Sequence, residues 1–322
     1  MLLSSCASNT NTTPPPAKFA EREKCPDAAL NSGVATLNEL GDDASRNQRV
    51  QTVVVLDVTK ATDVEARSLA ARCFLRGAMS AALTERTTHE YSYVFLGRNR
   101  GEFIIESLVG DEVGRATRNA LATTTSATDE AAAAIRQAWG EILAGQISPD
   151  LAECSRQIRP SLFGLGIDGA EFDALADSLC AANEKLATAF TEISQATAEA
   201  EAGSDVYGTL DMIDDEYAKN ELDLLRIVAF SDLLDFNPNT DSNLTKELTG
   251  KTKAEAIALG ETKGLRDGGF KSGRVIIYAE QPGETAGGTQ RVIRPLVQEF
   301  WQAYAKSRGA EITQLTNLAN AR

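Results

Sequence analysis

Uninterrupted apolar runs alternate along the chain with stretches whose apolar residues recur every three or four positions. Residues 50–57 read VQTVVVLD, a β-branched run closed by an acid, as a strand buried on both faces would be. Residues 63–83 (DVEARSLAARCFLRGAMSAAL) carry apolar positions at helical spacing, so the first unit is a strand followed by a helix. Two shorter strand patterns follow at 90–96 (EYSYVFL) and 102–108 (EFIIESL), joined by GRNRG, which predicts an antiparallel hairpin at the edge of a sheet. From about 111 to 202 the strand signal stops. An Ala-rich helix is predicted near 129–144 and a long one from Asp168, its N-cap, to about 201, with Pro149 and Pro160 punctuating the connection. In the long helix Phe172, Leu175, Leu179, Ala182, Leu186, Phe190 and Ile193 form a seam. The expected partner of that seam is the 129–144 helix, through Ile135, Trp139 and Ile142. Strand patterns return at 224–230 (LLRIVAF), 274–279 (RVIIYA) and weakly at 311–315 (EITQL), with helical patterns at 253–263 and 292–308 between them.

Such alternation implies parallel strands joined by right-handed crossovers, and the strand at residue 50 belongs with them. The predicted fold is therefore α/β and doubly wound. Its sheet is mostly parallel with one antiparallel edge strand, it occupies residues 26–322, and it carries a helical insertion at about 111–202. The composition of 43% hydrophobic and 24% charged residues over 322 positions allows a sizeable core.

Charge and rare residues narrow the chemistry. A net charge of −14 repels phosphate backbones, so nucleic acid is not an expected partner. The single histidine, His89, disfavours two-His metal sites and Ser-His-Asp triads. The five cysteines form no C-x-x-C pair, and five is odd. Leu3-Ser4-Ser5-Cys6 resembles a bacterial lipobox, in which the cysteine is lipidated and becomes the mature N-terminus. Only five residues precede Cys6, fewer than a secretory signal has. Residues 7–18 (ASNTNTTPPPAK) form a polar spacer, so residues 1–25 read as a lipobox-like start and a disordered tether. The expected location is the bacterial cell envelope, periplasmic or surface, with membrane contact through the lipid alone; a chance lipobox would leave the chain cytoplasmic. With Cys6 lipidated, Cys154–Cys180 or Cys25–Cys73 could pair, though four cysteines allow three connectivities.

In open α/β sheets ligands bind beyond the carboxyl ends of the strands. Asp57 ends the first strand in DVTKA, Ser231-Asp232 follow the fourth in AFSDLLDF, and G-S-D-V-Y-G-T-L begins at Gly203 just before that strand. Hard oxygen donors from three loops suit Mg²⁺, Mn²⁺ or Ca²⁺. This arrangement resembles the von Willebrand factor A family, whose metal-ion-dependent adhesion site uses D-x-S-x-S after the first strand, a loop threonine and an acid after the fourth strand. The match covers about residues 48–318, and the tail VIRPLVQEFWQAYAKSRGAEI is similar to the final helix and strand of bacterial members. Asp57 stands where the first acid stands, Thr59 replaces the first serine, Ser204 takes the place of the threonine, and Asp232 that of the last acid. The second serine position is Ala61, which removes one hydroxyl ligand.

The resemblance implies a non-enzymatic, envelope-tethered module that recognises a protein partner, with an acidic group of that partner completing the metal's coordination. Self-association through the seam of the helical insertion is a further expectation. Two other classes compete: a Mg²⁺-dependent hydrolase of a phosphorylated substrate using Asp57 and Asp232, and a metal-free structural or assembly protein. Gly164-Leu165-Gly166-Ile167-Asp168-Gly169 spells G-x-G-x-x-G, but no strand long enough to be buried precedes it, so it reads as a loop feeding a capped helix. The acids of residues 211–223 read as a solvated face, and Asp235 and Asp241 as surface charge that favours basic partners.

Overall fold

The computed structural model describes residues 25, 49–59, 64–82, 88–96, 106–109, 112–196, 203–237, 242–280 and 289–315. The lipobox and tether, including Cys6, lie outside the described residues, as do Ala61, Asp241 and the GRNRG loop. In chain order come β1 (Arg49–Asp57), α1 (Val64–Ala82), β2 (Thr88–Leu96) and β3 (Glu106–Val109). Four consecutive helices follow: α2 (Glu112–Thr123), α3 (Thr128–Leu143), α4 (Leu151–Leu162) and α5 (Gly169–Ser194). Then come α6 (Val206–Tyr217), β4 (Leu224–Phe230), a ribbon of β5 (Phe236–Asn237) and β6 (Ser242–Asn243), and α7 (Leu244–Leu248). The described residues end with α8 (Lys253–Asp267), β7 (Val275–Glu280), α9 (Thr289–Ser307) and β8 (Glu311–Leu315).

The architecture is α/β, with a mostly parallel sheet flanked by helices in the order β3-β2-β1-β4-β7-β8. β1 runs parallel to both β2 and β4, β4 to β7 and β7 to β8, while β3 pairs antiparallel with β2. Helices lie on both faces, which is why β1 and β4 are continuous apolar runs rather than alternating ones. Val54 and Leu56 of β1 and Val228 and Phe230 of β4 face a core that includes α1 and α2–α5. Val53, Val55, Ile227 and Ala229 face a second core, shared with α6, α8 and α9. On that second face α8 and α9 approach closely. A Cβ on Gly260 would lie 2.3 Å from the carbonyl oxygen of Phe300, so only glycine permits the contact.

The four-helix segment departs from expectation in two ways. The long seam packs chiefly against α2 and α4 rather than α3, while α3 turns its Trp139 toward α1, where Nε1 donates to the Met79 carbonyl at 2.9 Å. Pro160 does not interrupt the helix; it sits in the last turn of α4, so the hydrogen bond forfeited by its missing N–H is lost only where the helix is about to stop. The seam is also spent inside the chain, with Leu175 and Leu179 fully buried and Leu186, Phe190 and Ile193 nearly so. Those five positions are therefore used within the chain, while Phe172 at the start of the seam is only partly buried.

Two disulfides staple this half of the molecule. Cys25 is bonded to Cys73 of α1, and Cys154 of α4 to Cys180 of α5. This is one of the three connectivities that four cysteines allow. Replacing Cys154 and Cys180 together by serine opens a loop of sequence separation 26 and is expected to cost about 3–4 kcal/mol. Urea unfolding, with the free energy of each protein extrapolated to water from its own m-value, measures that loss.

Candidate functional site

The order of strands reverses between β1 and β4, the place where a crevice opens at the carboxyl edge of such a sheet. Asp57 is the last residue of β1. The register pairs Leu56 with Phe230, so Asp57 and Ser231 occupy the next rung and share a face. Asp57 is wholly buried, and an uncompensated carboxylate there would be costly. The compensation is local. Its Oδ1 accepts from the Thr59 backbone N–H at 3.0 Å and from Thr59 Oγ1 at 2.8 Å. Its Oδ2 accepts from Ser231 Oγ at 2.8 Å and, at 3.4 Å, from Ser204 Oγ, which is also 3.4 Å from Thr59 Oγ1. The guanidinium of Arg67, in the first turn of α1, lies 3.8 Å from the same Oδ2.

Three of the four residues singled out by sequence thus meet: Asp57, Thr59 and Ser204. Asp232 does different work in the same turn, its Oδ1 accepting from the Leu234 backbone N–H at 3.0 Å. The side chain that joins Asp57 from the β4 turn is Ser231. Strand alternation points to it, because residues in register on parallel strands share a face and their neighbours point away. Arg67 was also missed, since a charged residue early in an amphipathic helix ordinarily faces solvent.

The turn after β4 is held on both sides. Ser231 Oγ accepts from the Leu233 N–H at 3.0 Å, and Leu233 adopts φ 55°, a left-handed conformation unfavourable for leucine. It persists because the Leu233 side chain is buried and its carbonyl accepts from Trp301 Nε1 of α9 at 2.8 Å. Two residues on, Asp235 Oδ1 accepts from the Val206 N–H at the start of α6 at 2.8 Å, and Oδ2 accepts from Ser242 Oγ. Asp235 is buried and cannot act as surface charge, contrary to expectation. Desolvation raises its pKa to about 6, with Asp205 pushing the same way against the hydrogen bonds from Ser242 and Val206.

Elsewhere the remaining sequence features have structural roles. In the glycine-rich segment the carbonyls of Leu165 and Gly166 accept from the N–H groups of Ser126 and Thr125. A Cβ on Gly166 would lie 1.8 Å from Thr125 Oγ1, and Asp168 caps α5 by accepting from the Ala170 N–H at 3.0 Å. These glycines permit two loops to interlock. Within residues 211–223 Asp214 is buried rather than solvated, and it accepts from the backbone N–H groups of Lys271 and Ser272.

Among the described residues no group of three or more His, Cys, Asp or Glu side chains could hold a metal ion. The donors at the carboxyl edge are one carboxylate and three hydroxyls, with Asp232 beside them. As hard oxygen ligands they match Mg²⁺, Mn²⁺ or Ca²⁺ in kind. No family model, curated protein or solved structure matches the chain.

A pH dependence follows from Asp235. Its pKa is higher in the folded chain than the ordinary carboxylate value, so its contribution to stability is complete below about pH 4 and is lost as pH rises through about 6. The loss amounts to about 3 kcal/mol, and Asp235→Asn, which cannot ionise, escapes it. Urea unfolding of both proteins at pH 4.5 and 7.5 is expected to show the substitution becoming more favourable by about 2 kcal/mol at the higher pH. A pH-independent difference would show that Asp235 titrates as an ordinary carboxylate.

Proposed function

We propose that this chain is an envelope-tethered binding module, von Willebrand A-like in architecture, that recognises a protein partner at the carboxyl edge of its sheet. The observation that carries the reading is the convergence of Asp57, Thr59, Ser204 and Ser231 where the strand order reverses. Within this reading β3 is the family's antiparallel edge strand, and α2–α5 are an insertion into its scaffold. Mg²⁺, with Mn²⁺ or Ca²⁺ as substitutes, is the proposed cofactor. Asp57, Thr59, Ser204 and Asp232 would hold it, and Ser231 would orient Asp57. When bound, the ion supplies a positive charge that an acidic group of the partner completes.

The proposed anchor is lipid on Cys6. What supports it is the use of the other four cysteines in two disulfides, which belong to oxidising compartments and leave Cys6 as the odd one. The polar segment between Cys6 and Cys25 then serves as the spacer.

Calorimetric titration with Mg²⁺, Mn²⁺ and Ca²⁺ tests the site. Saturable binding is expected in the wild type, abolished in Asp57→Ala and weakened in Asp232→Ala; heats no different from dilution for all three ions would remove the cofactor from the reading. The anchor has a separate test. Expressed in a bacterium behind a complete signal, the protein is expected to take up radiolabelled palmitate and to lose that label in Cys6→Ser. Equal labelling of both proteins would place any lipid elsewhere.

A further inference from the structure

The Asp57 cluster already contains a cation. Arg67 Nη1 lies 3.8 Å from Asp57 Oδ2, with only 11% of the arginine side chain and none of the aspartate side chain exposed. Three hydroxyl groups and one backbone N–H hydrogen-bond to the same carboxylate or to its neighbour. Charge at this point is therefore compensated by the protein itself. A divalent ion brought to Asp57 meets a guanidinium a few ångströms away, in surroundings where water screens poorly.

We propose that Arg67 is a resident counter-ion that competes with a divalent metal for Asp57 and thereby sets the affinity of the site. The inference rests on the metal reading given above and deepens it. With Arg67 turned toward Asp57 the cluster is neutral and weak for metal; with Arg67 turned away it is an anionic, hydroxyl-lined site that takes a hard cation. The reach of arginine suits this exchange, because its long aliphatic stem lets the charged head change place while α1 stays put. A partner that presents a carboxylate would favour the metal-loaded state twice, by contacting the ion and by pairing with the displaced guanidinium.

The test is Mn²⁺ binding to the full chain, followed by loss of the free-ion electron paramagnetic resonance signal and by calorimetry. Wild type, Arg67→Gln, Asp57→Asn and the double variant are compared. Arg67→Gln is expected to bind Mn²⁺ about tenfold or more tightly than the wild type, as removal of a unit charge a few ångströms away implies. The double variant is expected to lose that gain, which ties it to Asp57. Arg67→Met keeps the stem packed without the charge and serves if the glutamine variant unfolds, folding being checked by circular dichroism. Equal affinities in wild type and both Arg67 variants would overturn the competition while leaving the metal site intact. Binding in none of the folded proteins would overturn the competition and the metal reading together. A tighter site in Arg67→Gln that survives Asp57→Asn would place the ion elsewhere and also defeat the proposal.

Discussion

The carboxylate of Asp57 is the constraint around which the carboxyl edge of the sheet is arranged. It is the last side chain of a strand buried on both faces, so solvent does not solvate it and protein groups must. The groups that do so come from four places in the chain: the turn after β1, the segment before α6, the turn after β4, and the first turn of α1. Each of those backbones has to approach to within hydrogen-bonding or ion-pairing distance of one residue. The same interactions that neutralise Asp57 therefore fix where the loops go. Removing only one partner of such a cluster leaves the others buried and unpaired, which costs more than the individual hydrogen bonds contribute.

From the β4 turn this constraint passes into the second core. Ser231 faces Asp57 and receives the Leu233 N–H, and Leu233 in turn offers its carbonyl to Trp301. Trp301 is among the largest fully buried side chains and packs against Tyr207 and Phe300. Asp235 then ties the end of the turn to the start of α6, only two residues after Ser204. The turn is thus held at Asp57 by Ser231, at α9 by Leu233 and at the start of α6 by Asp235. A left-handed leucine is tolerable there because the surrounding contacts over-determine it.

How much of this the sequence carried depended on the kind of signal. Strands buried on both faces are dense apolar runs, and β1, β4 and β7 stand close to where those runs lie. The α/β class and the alternation of the C-terminal third followed from them. The helices α2 and α4 were not individually legible. The 112–123 segment has few large apolar residues, and Pro160 read as a breaker although it falls at a helix end. At the site, acids drew attention because they carry chemistry alone, whereas Ser231 matters only through its register with Asp57. That relation needs the β1–β4 pairing, which no local pattern states. The partner of the α5 seam was misjudged for the same reason, since a seam announces that a helix is wanted without saying which.

The placement of the disulfides bears on how the Asp57 cluster could change state. Both bridges lie in the core that contains α1, and one of them bonds Cys73 of that helix to Cys25. Cys73 is less than two helical turns beyond Arg67, and between them Ser68, Ala71 and Arg72 are buried. A helix fixed so close to the arginine cannot readily slide or rotate to withdraw it. Exchange at Asp57 must then occur by rotation of the Arg67 side chain about a stationary helix. Local rotation of this kind needs no rearrangement of the sheet and leaves the hydroxyls of Thr59, Ser204 and Ser231 where they are. The cluster is thereby built so that its charge can change while its shape does not.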